Sequence, residues 1–99
     1  MTDLLLSTIT TVRISGEIDI ATCAAMGNAM STVLYGGPVD LIADMSAVSF
    51  MDASGIRVLL AARQLAAETG STLALRAPSQ AVRRLLDILH LTEMFTFVR

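Results

Sequence analysis

Apolar and polar residues alternate along several short segments of the chain, a pattern that is typical of β-strands. Residues 4–9 and 11–16 are predicted to form two strands that pair with each other. Further strands are predicted at 39–44, around the apolar patch at 48–51, at 72–76 and at 95–98.

Three other segments carry apolar residues three and four positions apart, which predicts amphipathic helices. The first begins at Asp19 or Thr22, either of which can cap a helix, and ends at Gly36-Gly37-Pro38. The second follows Ser54 and ends at Gly70, and the third opens at Pro78-Ser79. The positions predicted to face the core are Met26, Ala29, Met30, Val33 and Leu34, then Ile56, Leu59, Leu60 and Ala66, and finally Val82, Leu85, Leu86 and Leu89.

Strands that alternate with helices after an initial strand pair indicate an α/β fold. The expected sheet is mixed and mostly parallel, because the crossovers give parallel pairs, and the helices pack against it. No repeat or linker interrupts the 99 residues. One domain spanning residues 1–99 is therefore predicted.

Hydrophobic residues make up 54% of the chain, and the mean hydropathy is +0.65. Every apolar run is nevertheless interrupted by a charge, glycine or proline well before the roughly 18 residues that a membrane-spanning helix needs. The N-terminus carries an acid and no basic cluster before an apolar run, so no secretory or transit signal is expected. A cytoplasmic protein with no membrane partner is predicted.

The net charge is −2, and all seven basic residues are arginines, of which only Arg83 and Arg84 are adjacent. Direct binding of nucleic acid is not expected, because it would need a basic stripe with interleaved aromatic residues. Cys23 and His90 are the single cysteine and histidine, so neither a disulfide nor a metal site is predicted, and no cofactor is implied. Each is expected to pack as part of the core.

The candidate chemistry lies at residues 49–56, where a predicted buried strand gives way to a helix whose first turn contains Ser54. The first N–H groups of a helix have no partner within it and carry partial positive charge, so a phosphate is stabilised there. Ser54 is the predicted phosphorylation site.

Catalysis is not expected from this sequence. A serine hydrolase needs a general base and a Gly-x-Ser-x-Gly elbow, and His90 lies in a packing context at the end of the third helix. A nucleotide-binding P-loop and a phosphoaspartate receiver both need a lysine, and the chain has none. The chain is therefore interpreted as a binding protein and not an enzyme.

Three segments resemble the anti-sigma factor antagonists of the STAS domain family: residues 14–19, 44–55 and 81–86. The resemblance covers nearly the whole chain, and its most specific part is the turn Asp52-Ala53-Ser54-Gly55 after a strand. It implies a single STAS domain that exchanges between protein partners.

In such systems, the resemblance implies, the unphosphorylated antagonist binds an anti-sigma factor that is also a serine kinase, and so releases a sigma factor. The kinase phosphorylates the serine that matches Ser54 and switches binding off, and a metal-dependent Ser/Thr phosphatase reverses this. Many members carry a second hydroxyl where this chain has Ala53, so Ser54 is the only hydroxyl in the turn. A monomer or weak homodimer is expected.

The residues predicted to contact the partner leave alternatives open. Asp52 and Asp19 can each cap a helix instead of, or as well as, touching the kinase. Gly55 admits close approach of a partner or meets a purely steric need, and Arg57 contacts an acidic partner surface or is simply solvated. The predicted set is Asp19, Asp52, Ala53, Ser54, Gly55 and Arg57.

The main alternative keeps the fold without the switch: a non-catalytic STAS subunit of a lipid-import transporter, or another scaffold. Such a subunit needs a stable docking face but no phosphorylatable serine. The complete Asp52-Ala53-Ser54-Gly55 turn favours the antagonist.

Overall fold

A computed structural model describes residues 8–99. Strands and helices alternate through them, as the sequence predicts. In chain order the elements are β1 (Ile9–Ile18), α1 (Cys23–Tyr35), β2 (Asp40–Met51), α2 (Ala53–Glu68), β3 (Thr72–Arg76), α3 (Gln80–Ile88), a short 3-10 helix (Thr92–Met94) and β4 (Thr96–Val98).

The four strands form one sheet in the order β1-β2-β3-β4, and each pair within it is parallel. Each helix connects a strand to its next neighbour, always in the same direction across the sheet. Because such connections are right-handed, all three helices lie on one face of the sheet. The predicted α/β class, with a mostly parallel sheet and packed helices, is confirmed. The first strand of the predicted N-terminal pair lies mostly outside the described residues.

The core lies between this sheet face and the helices. Leu41, Ala43 and Met45 alternate along β2 and are fully buried in a single apolar cluster that also contains residues of all three helices. On the other face, Asp44 lies in register between Arg13 of β1 and Arg76 of β3. The two faces thus separate apolar from charged positions along the same strand.

Two strands are longer than the sequence predicts. β2 runs without a break from Asp40 to Met51, where two separate apolar segments are predicted. β1 continues to Ile18 because irregularities in its pairing, after Arg13 and after Gly16, shift the register and let it follow β2 to its end. Alternation of residue types does not reveal such shifts.

The prediction for the end of the third helix is wrong. Leu89 is exposed, and so is His90, which does not pack in the core. The helix ends at Ile88, and His90 adopts a left-handed conformation with φ of 58°. The His90 N–H donates to the Asp87 carbonyl, and the Leu91 N–H donates to the Leu86 carbonyl at 2.8 Å, as in a Schellman motif.

The other predicted helix positions mostly hold. Met26, Met30 and Leu34 of α1 are buried, whereas Ala29 is exposed. Leu60 and Leu85 are partly buried against the core, as is Cys23. Within residues 8–99, no helix has the length and apolar character needed to cross a membrane.

Candidate functional site

The candidate site is the turn that joins β2 to α2, and Asp52 organises it. Asp52 is the N-cap residue in extended conformation, and its carboxylate accepts the backbone N–H of Ser54 at 2.9 Å. The same carboxylate oxygen accepts the Ser54 hydroxyl in a short hydrogen bond. The capping role considered for Asp52 is therefore present, and it also fixes the direction of the Ser54 hydroxyl.

Gly55 holds this turn against the ends of two strands. It is buried, and a Cβ added to it would lie 2.7 Å from Met51 Cγ and 2.9 Å from Ile18 Cγ2. The Asp52 N–H also donates to the Ile18 carbonyl at 3.1 Å. Glycine therefore has a steric reason here, since any side chain would push the start of α2 away from the sheet.

The electrostatics of the turn favour an ionised Asp52. Its pKa is lowered chiefly by the hydrogen bond from the Ser54 hydroxyl, and the backbone N–H groups of Ser54 and Gly55 act in the same direction. The positive charge of Arg57, an exposed residue, lowers it further. The Ser54 hydroxyl therefore faces a carboxylate that is charged at neutral pH.

Asp19 organises a similar turn at the end of β1. Its carboxylate accepts the N–H of Ala21 at 2.9 Å and that of Thr22 at 3.2 Å. The Thr22 hydroxyl donates to the Glu17 carbonyl at 2.7 Å and accepts the Asp19 N–H at 2.9 Å. Of the two candidate caps, Asp19 supplies these hydrogen bonds, whereas the Thr22 side chain does not cap α1.

The parallel sheet brings the two turns together at the carboxyl ends of its strands. β1 and β2 are neighbours and both end there, with Ile18 in register with Met51. Four of the predicted residues therefore lie at this end of the sheet, with Ala53 exposed beside them: Asp19, Asp52, Ser54 and Gly55. Arg57 follows one turn along α2.

Two exposed apolar side chains flank these turns and were not among the predicted site residues. Ile20 is 78% exposed immediately after Asp19, and Phe50 is 48% exposed two residues before Asp52. For Ile20, its place next to the predicted cap Asp19 could have indicated exposure. For Phe50, the apolar strand pattern at 48–51 predicted burial instead.

The arrangement offers a hydroxyl at a helix start beside a carboxylate. His90 follows α3, and α3 runs back from the carboxyl end of β3. His90 therefore lies toward the amino ends of the strands, whereas Ser54 lies at their carboxyl ends. The Ser54 hydroxyl is partly buried in this turn and hydrogen-bonded to Asp52.

The family model for the STAS domain matches residues 5–99. The chain belongs to the STAS domain family.

Among its relatives is the anti-sigma-F factor antagonist RsfB of Mycobacterium tuberculosis, 40% identical over 50 residues. The match covers 50% of this chain and 41% of RsfB, so it spans less than half the length of that curated relative.

Two solved structures of anti-sigma factor antagonists have the same fold. One is from Mycobacterium paratuberculosis, with 33% identity and a TM-score of 0.74, covering 90% of this chain and 75% of that one. The other is SpoIIAA in its unphosphorylated form, with 28% identity and a TM-score of 0.70, covering 93% of this chain and 81% of SpoIIAA. The chain is thus similar to anti-sigma factor antagonists over most of its length.

Proposed function

We propose that this chain is an anti-sigma factor antagonist switched by phosphorylation of Ser54. In its unphosphorylated form it binds an anti-sigma factor with serine kinase activity, which then releases its sigma factor for transcription. The observation that carries the proposal is the Ser54 hydroxyl, held at the first turn of α2 by Asp52. The names of the relatives support the same role.

Phosphoryl transfer to Ser54 is chemically straightforward in this turn. The Ser54 Oγ attacks the γ-phosphorus of ATP, the bond from that phosphorus to the bridging oxygen breaks, and ADP leaves. The hydroxyl proton is released to water or to a base of the kinase as the new P–O bond forms, while the Asp52 carboxylate holds the hydroxyl in place. Asp52 therefore positions the nucleophile while the kinase supplies the nucleotide.

The product changes the turn without requiring a new fold. The Ser54 Oγ loses its proton, so the hydrogen bond to Asp52 is lost, and a group of about −1.5 to −2 charge lies beside a carboxylate. The N-terminus of α2 and the positive charge of Arg57 offset part of that repulsion. The domain remains folded, and its surface at the turn becomes strongly anionic.

A partner that covers the turn must desolvate that phosphate to bind. The cost of desolvating the phosphate and the repulsion between like charges together amount to about a few kcal/mol. Each 1.4 kcal/mol lowers affinity about tenfold. Asp19, Asp52, Ala53 and Arg57 are the proposed contacts around Ser54, and the buried Gly55 holds the turn in place. A Ser/Thr phosphatase restores binding by hydrolysing the phosphoester.

The proposal places the chain in the bacterial cytoplasm as a monomer or weak homodimer that acts through protein partners. It does not itself catalyse a reaction, and it binds no nucleic acid directly.

Incubation with ATP and each anti-sigma factor kinase from the source genome, followed by peptide mass spectrometry, tests the proposal. We expect one phosphate, on Ser54, with one kinase, and none on the Ser54→Ala variant. If no kinase modifies the wild-type chain, the switch is wrong and a scaffold role, such as a transporter subunit, takes its place.

A further inference from the structure

We propose that the anti-sigma factor covers an apolar groove between α1 and α2, which begins one helical turn after Ser54, and leaves the opposite side of α2 uncovered. This inference rests on the proposed function, because it names the surface that the partner occupies. The occupant we infer is a row of uncharged, apolar side chains on the anti-sigma factor.

The groove lies between two helices that run in the same direction from neighbouring strand ends. Gly27 and Ser31 of α1 form one wall, and Val58, Ala61 and Leu65 of α2 form the other, around a cavity of about 170 Å³. A Cβ on Gly27 would lie 3.3 Å from Val58 Cγ1, so glycine lets the helices approach closely. The groove can hold one or two partner side chains.

Ser54 lies on the groove side of α2. At about 100° per residue, Ser54, Val58, Ala61 and Leu65 fall within about 60° of one another around the helix axis. Ala67 projects on the other side, about 140° from Ser54 by the same spacing. A phosphate on Ser54 blocks a partner that covers this side of α2, which is also the side on which the groove lies.

The α1 wall has the composition of a protein interface. No charged residue occurs from position 20 to position 39, although much of this segment is exposed. Ala24, Asn28 and Tyr35 are exposed, and at about 100° per residue they fall on the same side of α1 as Gly27 and Ser31. Tyr35 is 73% exposed. Interface centres are depleted in charge and enriched in tyrosine, so a neutral partner surface fits this wall.

Two charged residues of α2 border the groove, and by the same spacing both lie within about 60° of Ser54. Arg57 stands near the Ser54 end, and Glu68 near the far end, where it accepts a hydrogen bond from Gln64 at 3.1 Å.

A matched pair of substitutions on α2 tests the inference. Ala61 and Ala67 are both exposed residues of the same helix, but Ala61 lines the groove and Ala67 does not. The variants Ala61→Arg and Ala67→Arg therefore add the same side chain to the two sides. Asn28→Arg adds it to α1, on the same side as Gly27 and Ser31. Calorimetry measures the affinity of each for the anti-sigma factor that binds the wild-type chain, and thermal unfolding checks that each variant is folded.

We expect Ala61→Arg and Asn28→Arg to weaken binding at least tenfold, with Ala67→Arg within twofold of wild type. If Ala61→Arg fails to fold, Asn28→Arg decides the outcome. Equal affinities for all variants, or equal losses for all, overturn the groove. Should Ser54→Asp still abolish binding in that case, the proposed function stands without it. If no anti-sigma factor binds the wild-type chain, both proposals fail.

Discussion

The turns that follow β1 and β2 share an aspartate that accepts a backbone N–H, and they differ in what their hydroxyl group bonds. In each, an aspartate at a strand end accepts the N–H of the residue two positions on, at 2.9 Å in both turns. That residue is Ala21 in the first turn and Ser54 in the second. The first turn does contain a hydroxyl, that of Thr22, but this group bonds the backbone of Glu17 and Asp19.

This difference explains why one turn is structural and the other can be switched. The Thr22 hydroxyl closes its own turn, so modifying it would break hydrogen bonds that hold the chain. The Ser54 hydroxyl bonds a side chain, the Asp52 carboxylate, so losing this bond leaves the bond from the Ser54 N–H to Asp52 in place. A phosphate can therefore be added at Ser54 while the backbone of the turn is retained.

The largest expected effect comes from adding a carboxylate to the second turn. Ser54→Asp should lower affinity for the anti-sigma factor by about 100-fold, or about 2.7 kcal/mol, because a charge must be desolvated beside Asp52. Ser54→Ala keeps the surface neutral and should bind like wild type, with or without ATP. Equal affinities of the two variants in calorimetry would contradict the switch.

The next effect tests how tightly the second turn is packed. Gly55→Ala should destabilise the fold by about 1–3 kcal/mol, because its Cβ overlaps Met51 and Ile18. Urea unfolding at constant pH measures this change. Gly70→Ala is not a suitable control, since Gly70 has a positive φ of 72°. Gly36 has a negative φ of −75°, so Gly36→Ala serves as the comparison and should cost less. A Gly55→Ala variant as stable as Gly36→Ala would show that the turn yields easily.

The first turn should lose stability when its hydroxyl is removed. Thr22→Val keeps the shape of the side chain but deletes the hydrogen bonds to Glu17 and Asp19, at an expected loss of about 1 kcal/mol. Thermal unfolding measures the loss, and the rate of Ser54 phosphorylation should not change. A Thr22→Val variant with wild-type stability would remove the structural half of the comparison.

The smallest effect is on the titration of Asp52. Its pKa is lowered mainly by the Ser54 hydroxyl, so Ser54→Ala should raise it toward the ordinary aspartate value, which NMR of the carboxylate carbon detects. A carboxyl with a lowered folded-state pKa stabilises the fold above its unfolded pKa, and that stability is lost as pH falls through the folded pKa. Ser54→Ala should therefore be less sensitive to acid between these values. No change in the Asp52 titration would mean that the hydrogen bond is absent in solution.

The contrast between the turns also shows what the sequence could predict. Asp52, two positions before Ser54 and followed by an apolar helix pattern, was enough to predict a capped helix start with Ser54 in its first turn. For the first turn, Asp19 and Thr22 were equally plausible caps, because a carboxylate and a hydroxyl can both accept an N–H. Only the path of the chain between Glu17 and Thr22 decides between them.

Elsewhere, tertiary structure overrode local pattern. β2 forms one strand because β1 follows it through two register shifts, and neither shift has a marker in residue type. α2 ends at Glu68 and is followed by Gly70 in the left-handed conformation, as predicted. α3 is followed by His90, which adopts the same conformation although it is not a glycine. The apolar periodicity predicted that the third helix continues to Leu89, because no glycine marks its end.

The most direct test of the switch is the affinity of one chain preparation for its anti-sigma factor before and after stoichiometric phosphorylation of Ser54. A loss of at least about 100-fold is predicted, restored by treatment with a Ser/Thr phosphatase, because the phosphate must be desolvated at the covered turn. An unchanged affinity of the phosphorylated chain would contradict the account.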